Sequence, residues 1–200
     1  MAAASPLRAD DLELAQRASS GDRAAQRELF SAQRLAVHHT LFRILGSNRE
    51  LEDLLQDAFI AIFRALPSFR GDSTLATWCR TIATRTAYVA ISRRRPAAID
   101  LALVEDQLPS GDPDARRIAI ARAAARRLYA ALDQIDPRRR IAFALAVIDG
   151  LPVREVARIT SSTVTGVKTR VWRARRELFK RAKQDPVLRD YLIDLDGGDP

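Results

Sequence analysis

PVREVARITSSTVTGVKTRVWRARRELFKRAK, residues 152–183, is the stretch whose reading decides the fold. Apolar residues recur through it at steps of three and four, the period of a helix with one buried face. Thr160, Ser161 and Ser162 interrupt that pattern, and three polar residues leave room only for a tight turn between two helices. The spacing predicts a short helix over 152–159, turning Glu155, Val156, Ala157 and Ile159 inward. It predicts a long helix over 163–183, turning Val164, Val167 and Val171 inward. The other face of the long helix carries Thr163, Thr165, Lys168, Thr169, Arg170, Arg173 and Arg176. Hydroxyls and guanidinium forks on one helical face reach phosphates and guanine edges in a DNA major groove, whereas an idle face would only meet water. A short turn between two helices, the second strongly basic, is a helix-turn-helix pattern.

Charge points the same way. Residues 138–183 hold thirteen Lys and Arg against Asp149, Glu155 and Glu177, so this segment alone exceeds the formal +8 of the 200-residue chain. Such a footprint suits a polyanion, of which nucleic acid is the commonest; the competing reading is a solvated surface in an Arg-rich protein.

Outward from that stretch the chain reads as helical throughout. Gly is scarce and β-branched alternation nearly absent, so no strand is needed. Helices are expected over 11–19 and 22–45, with Gly46 as the C-terminal cap of the second. Ser47 and Glu50 have capping-box spacing ahead of a helix whose Leu51, Leu54, Leu55, Ala58, Phe59, Ile62 and Leu66 share a face. Glu52, Asp53, Gln56 and Asp57 occupy its polar face. Pro67 stops that helix, residues 69–73 form a loop, and a fourth helix runs over 74–95. Pro96, Pro109, Gly111 and Pro113 mark a linker over 96–115. Further helices are expected over 118–135 and, with Asp136 as N-cap and Pro137 at the first position, over 137–148.

Several function classes are disfavoured. The longest apolar runs fall far short of the ~18 residues of a membrane span. With Cys79 the only cysteine and His38 and His39 the only histidines, an internal disulfide is impossible and soft ligands are too few for an ordinary zinc site. Cys79 falls on an apolar stripe with Leu75, Trp78, Ile82 and Ala83, which favours an inert buried thiol. Residues 1–10 have no long apolar core of the signal-peptide kind, leaving the cytoplasm as the expected compartment. No spacing of carboxylates, or of a nucleophile with a base, indicates an enzyme.

The sequence 135–140, Ile-Asp-Pro-Arg-Arg-Arg, then Gly150-Leu151, Glu155-Val156-Ala157, Val167-Lys168-Thr169-Arg170 and Arg173-Ala174-Arg175, resembles the promoter-reading fourth region of bacterial sigma factors. Independently, LEDLLQDAF over 51–59, LPSFRG over 66–71, Thr77-Trp78, Ile82-Ala83 and Arg93-Arg94-Arg95 are similar to the second region of the small extracytoplasmic-function (ECF) group of the sigma-70 family. The resemblance covers nearly everything from 11 to 183 and implies an all-α chain of two small helical domains joined by a flexible linker. Region 2 would span 11–95, the linker 96–115, region 4 the helix-turn-helix over 116–183, and an acidic tail 184–200.

It further implies a dissociable specificity subunit without catalytic residues, metal or cofactor. Its partners would be core RNA polymerase, double- and single-stranded promoter DNA and an anti-sigma factor, with no membrane insertion. Glu52, Asp53, Gln56 and Asp57, backed by Leu55, would meet the polymerase clamp helices. The −10 element would be read and melted by the loop with Phe69, Arg70, Asp72 and Ser73 and by the stripe Thr77, Arg80, Thr81, Thr84, Arg85 and Tyr88. One aromatic among polar and basic groups suits single strands. The basic face of 163–183 would read the −35 element. The sequence departs from the family pattern at Thr165-Gly166, at Ser161 where Gly is common, and at Arg85 and Val89 where Asn and Asp are frequent. A stand-alone helix-turn-helix regulator is the alternative. The tail, with five Asp and several apolar residues, would either compete with DNA for the Arg face or dock as a short helix.

Overall fold

Local capping sets the first helices. The Asp22 carboxylate accepts the backbone N–H groups of Ala24 at 2.8 Å and Ala25 at 3.2 Å, starting α2 (Arg23–Leu45) as α1 (Pro6–Ser19) ends. Those amide donors, Ala25 foremost, hold the Asp22 carboxyl below the usual carboxylate range. Gly46, at φ +74°, closes α2 in the left-handed conformation. A computed structural model describes residues 6–47, 50–93 and 113–196.

The third helix, α3 (Leu51–Ala65), begins without the expected capping box: Glu50 is its N-cap and makes no side-chain cap bond. Glu52 and Asp53 in its first turn place negative charge at the positive end of the helix instead. Its expected apolar face is buried from Leu51 to Ile62, and the face is worth about 1.5–3 kcal/mol per large side chain removed from water. Pro67 converts its end to a 3₁₀ turn over Leu66–Ser68, and the loop leads to α4 (Leu75–Arg93).

Helix α5 (Pro113–Leu132) starts inside the stretch expected as linker, Pro113 serving at the first helical position; the rest of that linker lies outside the described residues. Asp136 caps α6 (Pro137–Phe143) through the N–H groups of Arg138 and Arg139. The helix expected to 148 instead widens into a π turn over Ala144–Ile148. There Asp149 and Leu151 donate N–H to the carbonyls of Ala144 and Leu145 at 2.9 and 3.0 Å, which turns Asp149 toward the first half of the chain. Helix α7 (Val153–Ile159), α8 (Val164–Ala182) and α9 (Pro186–Asp196) complete the fold. The acidic tail thus contributes a helix: Leu188 and Leu192 are buried with Leu128, Leu132, Phe143 and Leu178. Val164, expected to face inward, is 39% exposed, because Thr163 at the cap puts position 164 outside the packed seam.

The two halves touch directly. Ile141, Leu145, Val156, Ile159 and Val167 share one core with α1–α4. At its edge Arg140 is fully buried and donates from Nε to the Ile44 carbonyl and from Nη2 to the Leu45 carbonyl, each at 2.9 Å, and pairs with Asp133. The Tyr129 hydroxyl donates to the Arg43 carbonyl at 2.7 Å. The last carbonyls of α2, which its own helix leaves without partners, are therefore satisfied from the other half.

Candidate nucleic-acid interface

Thr163 accepts the Gly166 N–H on its hydroxyl at 3.0 Å and so starts α8. A Cβ at Gly166 would lie 2.9 Å from Ser162 Oγ and 3.0 Å from Thr163 Oγ1, so the glycine that breaks the family pattern leaves room for this cap. Beyond it Thr165, Lys168, Thr169, Arg173 and Arg176 are exposed on one side of the helix, as the period requires. Arg176 lies over the ring of Trp172 at 5.6 Å, and Trp172 is itself 58% exposed. Arg170 is half-buried and turns from that face toward α4.

On α4 the apolar stripe is core. Cys79 is fully buried, and desolvation pushes its thiol up to about 12. Trp78 meets Phe69 edge-on at 5.3 Å. Phe69, expected in a pocket for a base, is buried at 9% exposure against that ring and holds the loop in place; Arg70, Asp72 and Ser73 remain accessible.

Most of the polar stripe of α4 packs toward the second half of the chain, while Arg85 stays exposed. Arg80 pairs with Asp149 and with Glu155 at 3.2 Å each and donates to Thr40 Oγ1 at 3.1 Å. Glu155 is accordingly half-buried and bridging, a correction to its expected place in the helix-turn-helix core. Arg85 donates to Ser161 Oγ at 3.2 Å, and Arg138 of α6 lies 5.8 Å from the centroid of the Tyr88 ring. Thr84, expected to meet DNA, is 4% exposed, and its hydroxyl has no hydrogen-bond partner. Thr81 bonds back to the Thr77 carbonyl at 2.9 Å. In this arrangement the stripe expected for the −10 strand is largely covered by α6 and α7.

Helix α3 presents Glu52, Asp53, Gln56 and Asp57 to solvent, with Leu55 buried behind them. A shelf of Phe30 (38% exposed), Ile60 (40%) and Phe63 flanks this row, the Phe30 and Phe59 rings lying 4.5 Å apart. Sequence reasoning missed Phe30, Trp172, Arg138, Arg140 and Tyr129. Only the exposed aromatics carried a signal, as off-period apolar residues on otherwise polar faces. His38 is half-buried and His39 exposed, and among the described residues no group of His, Cys, Asp or Glu is disposed to hold a metal.

Residues 29–96 match the sigma-70 region 2 family, and residues 125–178 match the sigma-70 region 4 family. The RNA polymerase sigma-H factor of Pseudomonas aeruginosa is 30% identical over 188 residues, covering 90% of this chain and 96% of its own length. The ECF RNA polymerase sigma-E factor of Escherichia coli (strain K12) is 29% identical over 187 residues, with the same coverage. The chain shares the fold of CnrH, solved in complex with the cytosolic domain of CnrY, at a TM-score of 0.57 and 23% identity over 88% of this chain and 98% of that one. It shares it also with the sigma factor RpoE of Bartonella quintana, solved with the anti-sigma factor NepR, at a TM-score of 0.51 and 20% identity over 87% and 98%. Two regions matched in order, and a relative at 30% identity across nearly its full length, place the chain in the ECF group of the sigma-70 family of RNA polymerase sigma factors.

Proposed function

We propose that this sigma factor docks on the clamp helices of core RNA polymerase through Glu52, Asp53, Gln56 and Asp57. It reads the −35 element with Thr163, Thr165, Lys168, Thr169, Arg170, Arg173 and Arg176, and binds the unstacked −10 strand with Arg70, Asp72, Ser73, Thr77, Arg80, Thr81, Arg85 and Tyr88. The observation that carries the reading is the pairing of an exposed basic helix, after a tight turn, with an exposed acidic row on a separate helix. One surface suits polyanionic DNA and the other a cationic protein, as a subunit bridging polymerase and promoter requires. The apolar shelf of Phe30 and Ile60 beside the acidic row supplies what charge alone does not, an apolar centre for the interface. Because α6 and α7 cover the −10 stripe, the halves separate before that strand is bound.

The chain performs no bond chemistry; its work is binding and opening DNA, in the cytoplasm where polymerase acts. Among the described residues no helix is long and apolar enough to cross a membrane. An anti-sigma factor is the expected negative partner, since RpoE of Bartonella quintana, of the same fold, is held by one. Run-off transcription from a linear promoter template tests the reading: core polymerase yields a specific transcript only when this protein is added. Arg170→Ala costs about 1–3 kcal/mol of promoter affinity and blurs preference at one base position. Uniform weakening across promoters with a smaller salt slope would instead make Arg170 a phosphate contact, and no specific transcript at all would refute the function. A stand-alone regulator would bind its operator without polymerase and leave core activity undirected.

A further inference from the structure

Between the halves lies a cleft of about 310 Å³, lined by Arg85, Arg138 and Arg170 with Thr84, Tyr88 and Ser161. Arginines from three helices line it, Arg85 and Arg138 exposed and Arg170 half-buried, and none pairs with a carboxylate among the described residues. Elsewhere along this junction cations are neutralised: Arg80 by Asp149 and Glu155, Arg43 by Asp149, Arg140 by Asp133. Two further observations single the cleft out. The Thr84 hydroxyl is buried without any hydrogen-bond partner. Ser161, whose Oγ accepts from Arg85, is the sole non-glycine with positive φ among the described residues, at +49°. The tight turn between α7 and α8 holds Ser161 in the left-handed region, which keeps its hydroxyl at the rim of this cleft beside Arg85.

We propose that this cleft is a binding site for a small phosphorylated anion, of the size of pyrophosphate or a nucleoside diphosphate, that holds the two halves together. Guanidinium forks bind phosphate oxygens in pairs, the Thr84 and Ser161 hydroxyls complete the donor set, and a cleft of this volume is within the range of small-molecule sites. Because Arg85 comes from the first half and Arg138 and Arg170 from the second, the ligand binds the closed arrangement only and raises its population. The consequence for transcription rests on the proposed function, because Arg85, Tyr88 and Arg170 are then withheld from promoter DNA. The binding site itself does not.

Calorimetry on the full-length protein without DNA therefore comes first, with pyrophosphate as the probe and sulfate and hexaglutamate at matched ionic strength as controls. The expected result is one saturable pyrophosphate site per chain, weakened at least about tenfold by Arg138→Gln, an ordinary loss for a charged hydrogen bond. Thr84→Val, of nearly the same shape, weakens it likewise. Ser161→Gly separates binding from folding: it removes the hydroxyl and relieves the positive φ, so it raises the melting temperature while lowering pyrophosphate affinity. Pyrophosphate also increases energy transfer between dyes on the two halves, whereas a short single-stranded oligonucleotide decreases it. Pyrophosphate binding that sulfate matches, or that survives Arg138→Gln and Thr84→Val, would overturn the site. Tighter binding of hexaglutamate than of pyrophosphate would overturn the ligand class in favour of an acidic protein segment. Retained pyrophosphate binding with no promoter-directed transcription would sink the sigma reading and leave the site standing.

Discussion

Arg140→Met is the sharpest perturbation of the junction between the halves. Methionine fills a similar buried volume but removes every donor, leaving the Ile44 and Leu45 carbonyls facing an apolar side chain while the halves remain docked. Each orphaned buried carbonyl costs about 1–3 kcal/mol, so the docked state loses about 2–6 kcal/mol. The penalty falls on docking more than on folding, because separation lets water reach both carbonyls, and Asp133, with a side chain 41% exposed, is already hydrated. At about 1.4 kcal/mol per factor of ten, the closed-to-open ratio falls by about thirtyfold to twenty-thousandfold. Energy transfer between dyes on Ser31→Cys and Gln184→Cys reads that ratio. Cys79 does not interfere, since burial holds its thiol near 12 and out of reach of maleimide. The expected outcome is a clear drop in transfer with far-ultraviolet circular dichroism unchanged. Undiminished transfer at equal helicity would show that the α2 carbonyls do not hold the halves together.

The Tyr129 phenol donates to the Arg43 carbonyl, and burial raises it from an ordinary 10 to about 12. Its contribution to docking is therefore complete below pH 10 and lost as pH climbs through 12; Tyr129→Phe lowers energy transfer at neutral pH and removes this alkaline component, whereas a variant titrating like the wild type would refute the assignment. Gly46→Ala opens the halves as well, because a Cβ there would sit 2.0 Å from Tyr129 Cγ and the backbone is at φ +74°, so transfer falls and the melting temperature drops. Reversing Asp53 and Asp57 to Lys abolishes co-purification with core polymerase without loss of helicity, both being exposed on α3; intact binding moves the docking surface elsewhere.

What the sequence made legible was what depends on near neighbours. The α3 face is written in a strict three- and four-residue period, and the Asp136 cap acts within three residues of itself; the Asp22 and Thr163 caps are as local but were not read, and the capping box expected at Ser47 and Glu50 does not form. The junction was not legible, because its determinants lie far apart along the chain. Arg138, Arg139 and Arg140 read as one basic run, yet successive residues point about 100° apart around a helix. Only Arg140 aims at α2, and where the end of α2 lies is decided by packing about 95 residues away. The α4 stripe shows the same ambiguity from the other side: hydroxyls, arginines and one tyrosine suit a single strand of DNA, and equally suit Asp149, Glu155 and Ser161. Gly166 read only as a departure from the family pattern, and it leaves the space in which a cap forms.

The two faces differ in what they require of a partner. The acidic row of α3 is exposed in the closed arrangement, so docking there, as proposed, needs no rearrangement. On the proposed roles, the −10 stripe is fully engaged only once Arg80 leaves Asp149 and Glu155 and Arg140 leaves the end of α2. Binding to α3 alone favours neither state, since that surface is the same in both, and a ligand with equal affinity for two states shifts nothing. Turning a largely closed population of 1:99 into 99:1 needs about 5.5 kcal/mol of differential affinity. That preference has to come from contacts available only when the halves are apart, on Arg85, Tyr88 and Arg170 or on the faces of α6 and α7 that now cover α4. On the proposed roles, docking through α3 and opening are thus separable steps, and a polymerase bound through α3 alone leaves the −10 element unread while the basic face of α8 stays exposed.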